Sequence, residues 1–158
     1  MKTENLTLDS VIRLAVLMEE RGARFYSTLE SMTPDPTVKE MMHRLAEDEK
    51  QHSRQFARLL SEGGDLISNN ISPETRTYID SLQGKDFFKG FSLTGAVEVP
   101  ENPKEAMTLG IEAEKDSILF YHELYQSLPA GETRDAVGRL LQEEKMHLVE
   151  LREYIEEM

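Results

Sequence analysis

Apolar side chains recur every three or four positions through four long stretches of this chain, the spacing of amphipathic helices. The first stripe is Val11, Leu14, Ala15, Met18, Gly22, Phe25 and Leu29. The second is Val38, Met41, Met42, Leu45, Phe56, Leu59 and Leu60. The third is Leu109, Gly110, Ala113, Phe120 and Tyr121, and the fourth is Ala136, Val137, Leu140, Leu148, Leu151 and Ile155. End signals frame each stretch. The first helix is expected from about Leu8 to Met32, starting near Asp9 or Ser10 and stopping before Pro34. The second has Asp35 as N-cap and Pro36 at its first position, and ends near Gly63-Gly64. The third opens on Asn102, Pro103 and Glu105 and closes before Pro129, and the fourth runs from about Glu132 to the C-terminus. Roughly 25 residues each gives helices about 38 Å long.

Unequal links between the helices decide the topology. Only Thr33-Pro34-Asp35 separates helices one and two, and only Pro129-Ala130-Gly131 separates three and four, so both pairs are antiparallel hairpins. The segment from about 63 to 102 is long enough to cross the bundle and set helix three parallel to helix two. Ser72-Pro73-Glu74-Thr75 begins a short helix within it, reaching about Leu82. Asp86 to Pro100 reads as extended or irregular, with Phe87, Phe88, Phe91 and Leu93 packing on the bundle. The expectation is an all-α four-helix bundle in a single domain spanning 1–158.

Acids and histidines interrupt the apolar stripes in a repeated pattern. Glu49 and His52 fall near the centre of the second stripe, Glu144 and His147 within the fourth, while Glu47 points away. Glu19 flanks the first stripe and Glu114 the third, with Glu20 and Glu112 turned outward. Each of Glu19, Phe25, Tyr26, Glu49 and His52 has a counterpart 95 positions later, namely Glu114, Phe120, Tyr121, Glu144 and His147. Leu14, Leu29, Pro34, Arg44 and Leu45 recur at the same offset. A constant offset over such distances marks a duplicated helix pair. A lone Glu-x-x-His carries little weight, but two copies, each with a partner glutamate on an inward phase, carry a great deal. Four carboxylates entering one apolar core cost several kcal/mol each without compensating charge. Lys and Arg are absent from the interior positions, so two divalent metal ions are the expected compensation. Glu-x-x-His sets a bridging carboxylate and an imidazole one turn apart on one face.

Composition narrows the function classes. The formal charge of −12 argues against a nucleic-acid binder, which needs clustered cations. The absence of cysteine removes disulfides, zinc-thiolate sites and iron–sulfur clusters. The polar start and the lack of any run near the ~20 apolar residues of a membrane span suggest a cytoplasmic protein. His43 and His122 lie off the inward faces and read as surface residues, and the core-spaced methionines read as gap fillers. No phosphate-binding Gly-x-x-x-x-Gly-Lys loop and no serine or cysteine nucleophile with its base is present.

The phrases Glu19-Glu-Arg-Gly-Ala-Arg-Phe-Tyr26, Glu49-Lys-Gln-His52, Glu114-Lys-Asp-Ser-Ile-Leu-Phe-Tyr121 and Glu144-Lys-Met-His147 resemble motifs of the ferritin-like dimetal carboxylate proteins, most closely the rubrerythrin-like branch. The resemblance implies that Glu49 and Glu144 bridge two irons, that Glu19 and His52 complete one, and that Glu114 and His147 complete the other. It further implies that Asp48 accepts a hydrogen bond from His147, and Glu143 one from His52, fixing each imidazole. Tyr26 and Tyr121 lie two turns beyond Glu19 and Glu114. They could hydrogen-bond ligand carboxylates, but packing is their expected role.

Departures from the family pattern are informative. A rubredoxin-like iron–thiolate domain is impossible without cysteine, so electrons would come from a separate protein. Ser117 stands where rubrerythrins carry an extra glutamate, which puts their redox-linked ligand exchange in doubt. Lys50 occupies the place of the haem-binding methionine of bacterioferritin, which disfavours haem. The leading expectation is a di-iron oxidoreductase acting on peroxide or dioxygen, expected to form a homodimer, with manganese as an alternative metal. Ferroxidase-type iron handling and a purely structural metal-stapled bundle are the alternatives.

Overall fold

The structure, a computed structural model, describes residues 7–64, 71–82 and 98–157. Within them the chain forms helices α1 (Leu8–Met32), α2 (Pro36–Glu62), α3 (Pro73–Leu82), α4 (Pro103–Ser127) and α5 (Glu132–Glu157). Phe87, Phe88, Phe91 and Leu93 lie outside the described residues. Three helix starts follow from local chemistry. The Asp35 carboxylate accepts from the Thr37 N–H at 2.9 Å, with Pro36 supplying a first residue that has no N–H to satisfy. The Asn102 side chain accepts from the Glu105 N–H at 3.0 Å. The start of α1 differs from expectation, since its cap is Thr7, whose hydroxyl accepts from Ser10 N–H. Asp9 instead sits in the first turn and pairs with Arg13 at 2.7 Å.

α1 pairs with α2 and α4 with α5, and the hairpins meet through α1 on α4 and α2 on α5. Two apolar clusters show the directions. One gathers Val11 and Ala15 from early α1, Phe56 from late α2, Leu124 from late α4 and Leu140 from early α5. The other gathers Leu29 from late α1, Val38 and Met42 from early α2, Met107 from early α4 and Leu151 from late α5. α2 and α4 therefore run parallel, as the long connection requires. A layer of polar side chains lies between the clusters. The connector helix α3 is pinned to α4, with the Thr75 hydroxyl donating to Glu123 at 3.0 Å. Among the described residues no helix is long and apolar enough to cross a membrane.

Arg21 corrects the expectation that the interior holds no cation, because it is only 5 % exposed. Two residues from Glu19, it points about 200° around the helix and adds no charge to the polar layer.

Gly110 in α4 has room for a methyl group. A Cβ there would meet Leu151 at 3.5 Å and the Phe25 and Tyr26 rings at 3.6 Å, ordinary contact distances. Its counterpart 95 residues earlier is already alanine, Ala15. Gly110→Ala is expected to stabilise the protein by about 0.5–1 kcal/mol, read from a urea midpoint at unchanged slope. A lower midpoint would show that the contact is tighter than the distances indicate.

Candidate metal centre

The polar layer consists of Glu19 from α1, Glu49 and His52 from α2, Glu114 from α4, and Glu144 and His147 from α5. None is more than 3 % exposed, whereas Glu20, Glu47 and Glu112 are all exposed. Helical phase explains this division, since a single-residue step turns a side chain through about 100°. The six residues form two overlapping sets. Glu19, Glu49, His52 and Glu144 offer ligand atoms all within 4.8 Å of one another, and so do Glu49, Glu114, Glu144 and His147. Glu49 and Glu144 belong to both sets.

Each imidazole turns Nδ1 inward and Nε2 outward. His52 Nδ1 lies 2.8 Å from Glu144 and 3.7 Å from Glu19, while its Nε2 lies 2.5 Å from Glu143. His147 Nδ1 lies 3.0 Å from Glu49 and 3.6 Å from Glu114, while its Nε2 lies 3.0 Å from Asp48. The rings sit 5.7 Å apart and nearly parallel. Asp48 and Glu143 thus contact the histidines named for them in the sequence, each reaching across to the opposite hairpin. With its outer nitrogen committed to a carboxylate, each ring is oriented to present Nδ1 to the interior.

The tyrosines do more than pack. Tyr26 donates to Glu114 at 2.6 Å and Tyr121 donates to Glu19 at 2.7 Å, both fully buried. Phe25 and Phe120 stand edge-on to these rings. Each hydroxyl crosses to the other hairpin, so the 95-residue exchange maps one bond onto the other.

The site is electrostatically unfinished without metal. Glu19 Oε2, Glu49 Oε1, Glu114 Oε2, Glu144 Oε2 and His147 Nδ1 are sealed from solvent without a well-aligned hydrogen bond among the described residues, even though His147 Nδ1 and Glu49 Oε1 lie 3.0 Å apart. Five such atoms pointing into one volume are costly, and cations are what this donor set accepts. Burial and the neighbouring Glu144 push Glu114 up to about 8. Burial, with Glu144, Glu19 and Glu114 close by, raises Glu49 well above the carboxylate range. Burial opposes charge on His52 as well, but Glu144 and Glu19 push it up to about 11. Glu19 moves the other way despite its burial, because Glu49, His52 and Glu144 hydrogen-bond to it. Protons hold the metal-free layer together.

A four-helix bundle with two inward Glu-x-x-His motifs and two further glutamates defines a ferritin-like protein of the dimetal carboxylate class. The rubrerythrin family model matches residues 10–155, and the chain belongs to the rubrerythrin family. A ferritin-like diiron-carboxylate protein of Thermotoga maritima has a similar crystal structure, with a TM-score of 0.74 and 25 % identity, covering 97 % of each chain. No curated protein matches the sequence.

Removing an outer acid tests the imidazole geometry. Asp48→Ala and Glu143→Ala are each expected to weaken metal binding by about 10–100-fold, because the ring loses the partner that orients it. A competition titration against a chelator measures this, and unchanged affinity in both variants would dismiss the role.

Proposed function

We propose that this protein is a di-iron oxidoreductase that reduces hydrogen peroxide, re-reduced by a separate electron-carrier protein. The observation carrying this reading is the paired ligand set, in which four carboxylates and two imidazoles converge with five buried atoms lacking a well-aligned hydrogen bond. Family membership supports iron. Glu19 and His52 would hold one ion, Glu114 and His147 the other, and Glu49 and Glu144 both. Two ferrous ions there would supply the two electrons that, with two protons, convert hydrogen peroxide into two waters.

The chain's own residues hold that chemistry in place. Tyr121 and Tyr26 each engage one oxygen of Glu19 and Glu114, leaving the other oxygen to face the interior. The apolar clusters on either side exclude bulk water. Asp48 and Glu143, with side chains 39 % and 56 % exposed, link the buried imidazoles to solvent. The same ligands would accept manganese.

Ser117 supports a second reading, iron oxidation for handling or storage. It is buried one turn after Glu114, where a carboxylate able to exchange with a ligand would otherwise stand. Anaerobic loading with Fe(II), followed by stopped-flow mixing with peroxide or dioxygen, separates the two. About two irons per chain, oxidised far faster by peroxide, is the expected result. Rapid oxidation by dioxygen, with uptake well beyond the pair, would replace peroxide reduction with iron handling.

A further inference from the structure

Reduction of peroxide leaves the metal pair short of two electrons, and this chain has no cysteine with which to hold an iron–sulfur relay. The donor must therefore dock on the surface. Resting on the function proposed above, we propose that the groove between the outer faces of α1 and α2 receives an acidic one-electron carrier protein. In each turnover two reduced carriers would dock in succession, each surrendering one electron and leaving oxidised. Both electrons would pass to the site held by Glu49 and Glu144, and no atom or proton would be exchanged with the carrier.

Charge singles out this groove. Arg24, Lys50 and Arg54 line its 350 Å³ with one acid, Glu20, beside Ala23, Ser27 and Ser53. Three cations against one acid make it positive on a chain of net charge −12. Lys50 is partly engaged by Glu47 at 3.0 Å, but Arg24 and Arg54 are exposed and form no ion pair among the described residues. A second open groove, between α2 and α5, has Arg58 and Arg139 outnumbered by Glu62, Glu132 and Asp135. A local positive patch captures and orients an acidic partner despite an unfavourable overall charge, over about one Debye length.

Position is the second observation. Glu20, Lys50 and Ser53 are chain neighbours of Glu19, Glu49 and His52, so a carrier seated here is separated from the site by about the thickness of one helix, ~10 Å. The third is the way the two hairpins diverge. The ligands recur at the 95-residue offset, yet the counterparts of Arg24 and Arg54 are Leu119 and Val149, which are 51 % and 41 % exposed. At these two positions the α1–α2 hairpin alone carries guanidinium groups, while Lys145 and Lys115 stand at the counterparts of Lys50 and Glu20, so the carrier is placed over the half-site built on Glu19 and His52.

Binding of an oxidised, acidic rubredoxin, used as a probe, tests the surface apart from turnover. The full iron-loaded protein carrying Arg24→Glu with Arg54→Glu would be titrated at low and high ionic strength. Its control carries Lys104→Glu with Arg152→Glu, exposed positions on α4 and α5 that change the net charge equally. The groove variant is expected to raise the Kd at least about tenfold and flatten its salt dependence, and the control to stay within about twofold. Iron content and thermal melts establish that both variants are folded, and Arg24→Gln with Arg54→Gln should give a smaller loss in the same direction. Equal effects in both reversals, or none in the groove variant, would overturn the proposal. So would a groove variant that loses self-association but keeps carrier affinity, since the groove would then join copies of this chain. Peroxide oxidation of wild-type protein, measured without carrier, shows separately whether the proposed function itself fails.

Discussion

Replacing Glu144 by alanine is expected to cost the protein both metal ions rather than one. The side chain is wholly buried and belongs to both ligand sets, with oxygens 2.8 Å from His52 and 3.5 Å from His147. Its loss removes a shared negative charge and a bridging donor at once, while Glu19, Glu49 and Glu114 are left to repel one another across a half-empty layer. Glu19→Ala, by contrast, touches one set alone and should leave one ion bound in the set of Glu49, Glu114, Glu144 and His147. Metal analysis after extensive dialysis distinguishes the cases, with residual affinity in Glu144→Ala at least about 100-fold lower than wild type, beyond the effect of an outer acid. One firmly retained ion in Glu144→Ala would mean that the three remaining residues of one set suffice to hold it.

Metal should also govern stability, increasingly so as pH rises. Glu114 and Glu49 bind protons more tightly folded than unfolded, so their contribution is present below the unfolded carboxylate value and fades as pH climbs; for Glu114 the loss runs from about 4.5 to about 8. His52 adds a contribution that is complete below about 6.5 and disappears towards about 11. Metal-free protein is thus expected to melt at progressively lower temperature between pH 5.5 and 8.5, while the opposite shift of Glu19 acts only below about 4.5, outside this interval. Metal must displace these protons, so its apparent affinity rises over the same interval. At free metal about 1,000-fold above Kd the native state gains about 4 kcal/mol, or about 8–16 °C for a chain of this size. Paired melts of chelator-treated and metal-loaded samples read this gap. A gap that narrows with rising pH would contradict the protonated metal-free layer.

Much of this was legible in the sequence. Hydrophobic period, Pro and Gly positions and two three-residue links fixed helix extents and pairing to within a residue or two. The six inward residues could be read because helical phase converts spacing into direction. The remainder depended on tertiary distance. Which imidazole nitrogen faces inward is a rotamer decision governed by Asp48 and Glu143 on another helix. The tyrosine hydroxyls reach the opposite hairpin, whereas a helical wheel shows only their own. Arg21 is covered by packing between elements, which the phase of its own helix does not show. The α1 cap was misplaced because Thr7, Asp9 and Ser10 are all acceptable cap residues, and only backbone geometry chooses among them.

The two tyrosine–glutamate bonds and the two histidine–carboxylate bonds all run between hairpins. Helices pack far more closely within each hairpin than between them. The polar layer is consequently a clasp: each half of the chain grips the ligands of the other, and a metal ion closes the catch. Drawing the ions out would leave the halves joined by these bonds and the two apolar clusters alone, so that the seam between the hairpins becomes the first place for the structure to open.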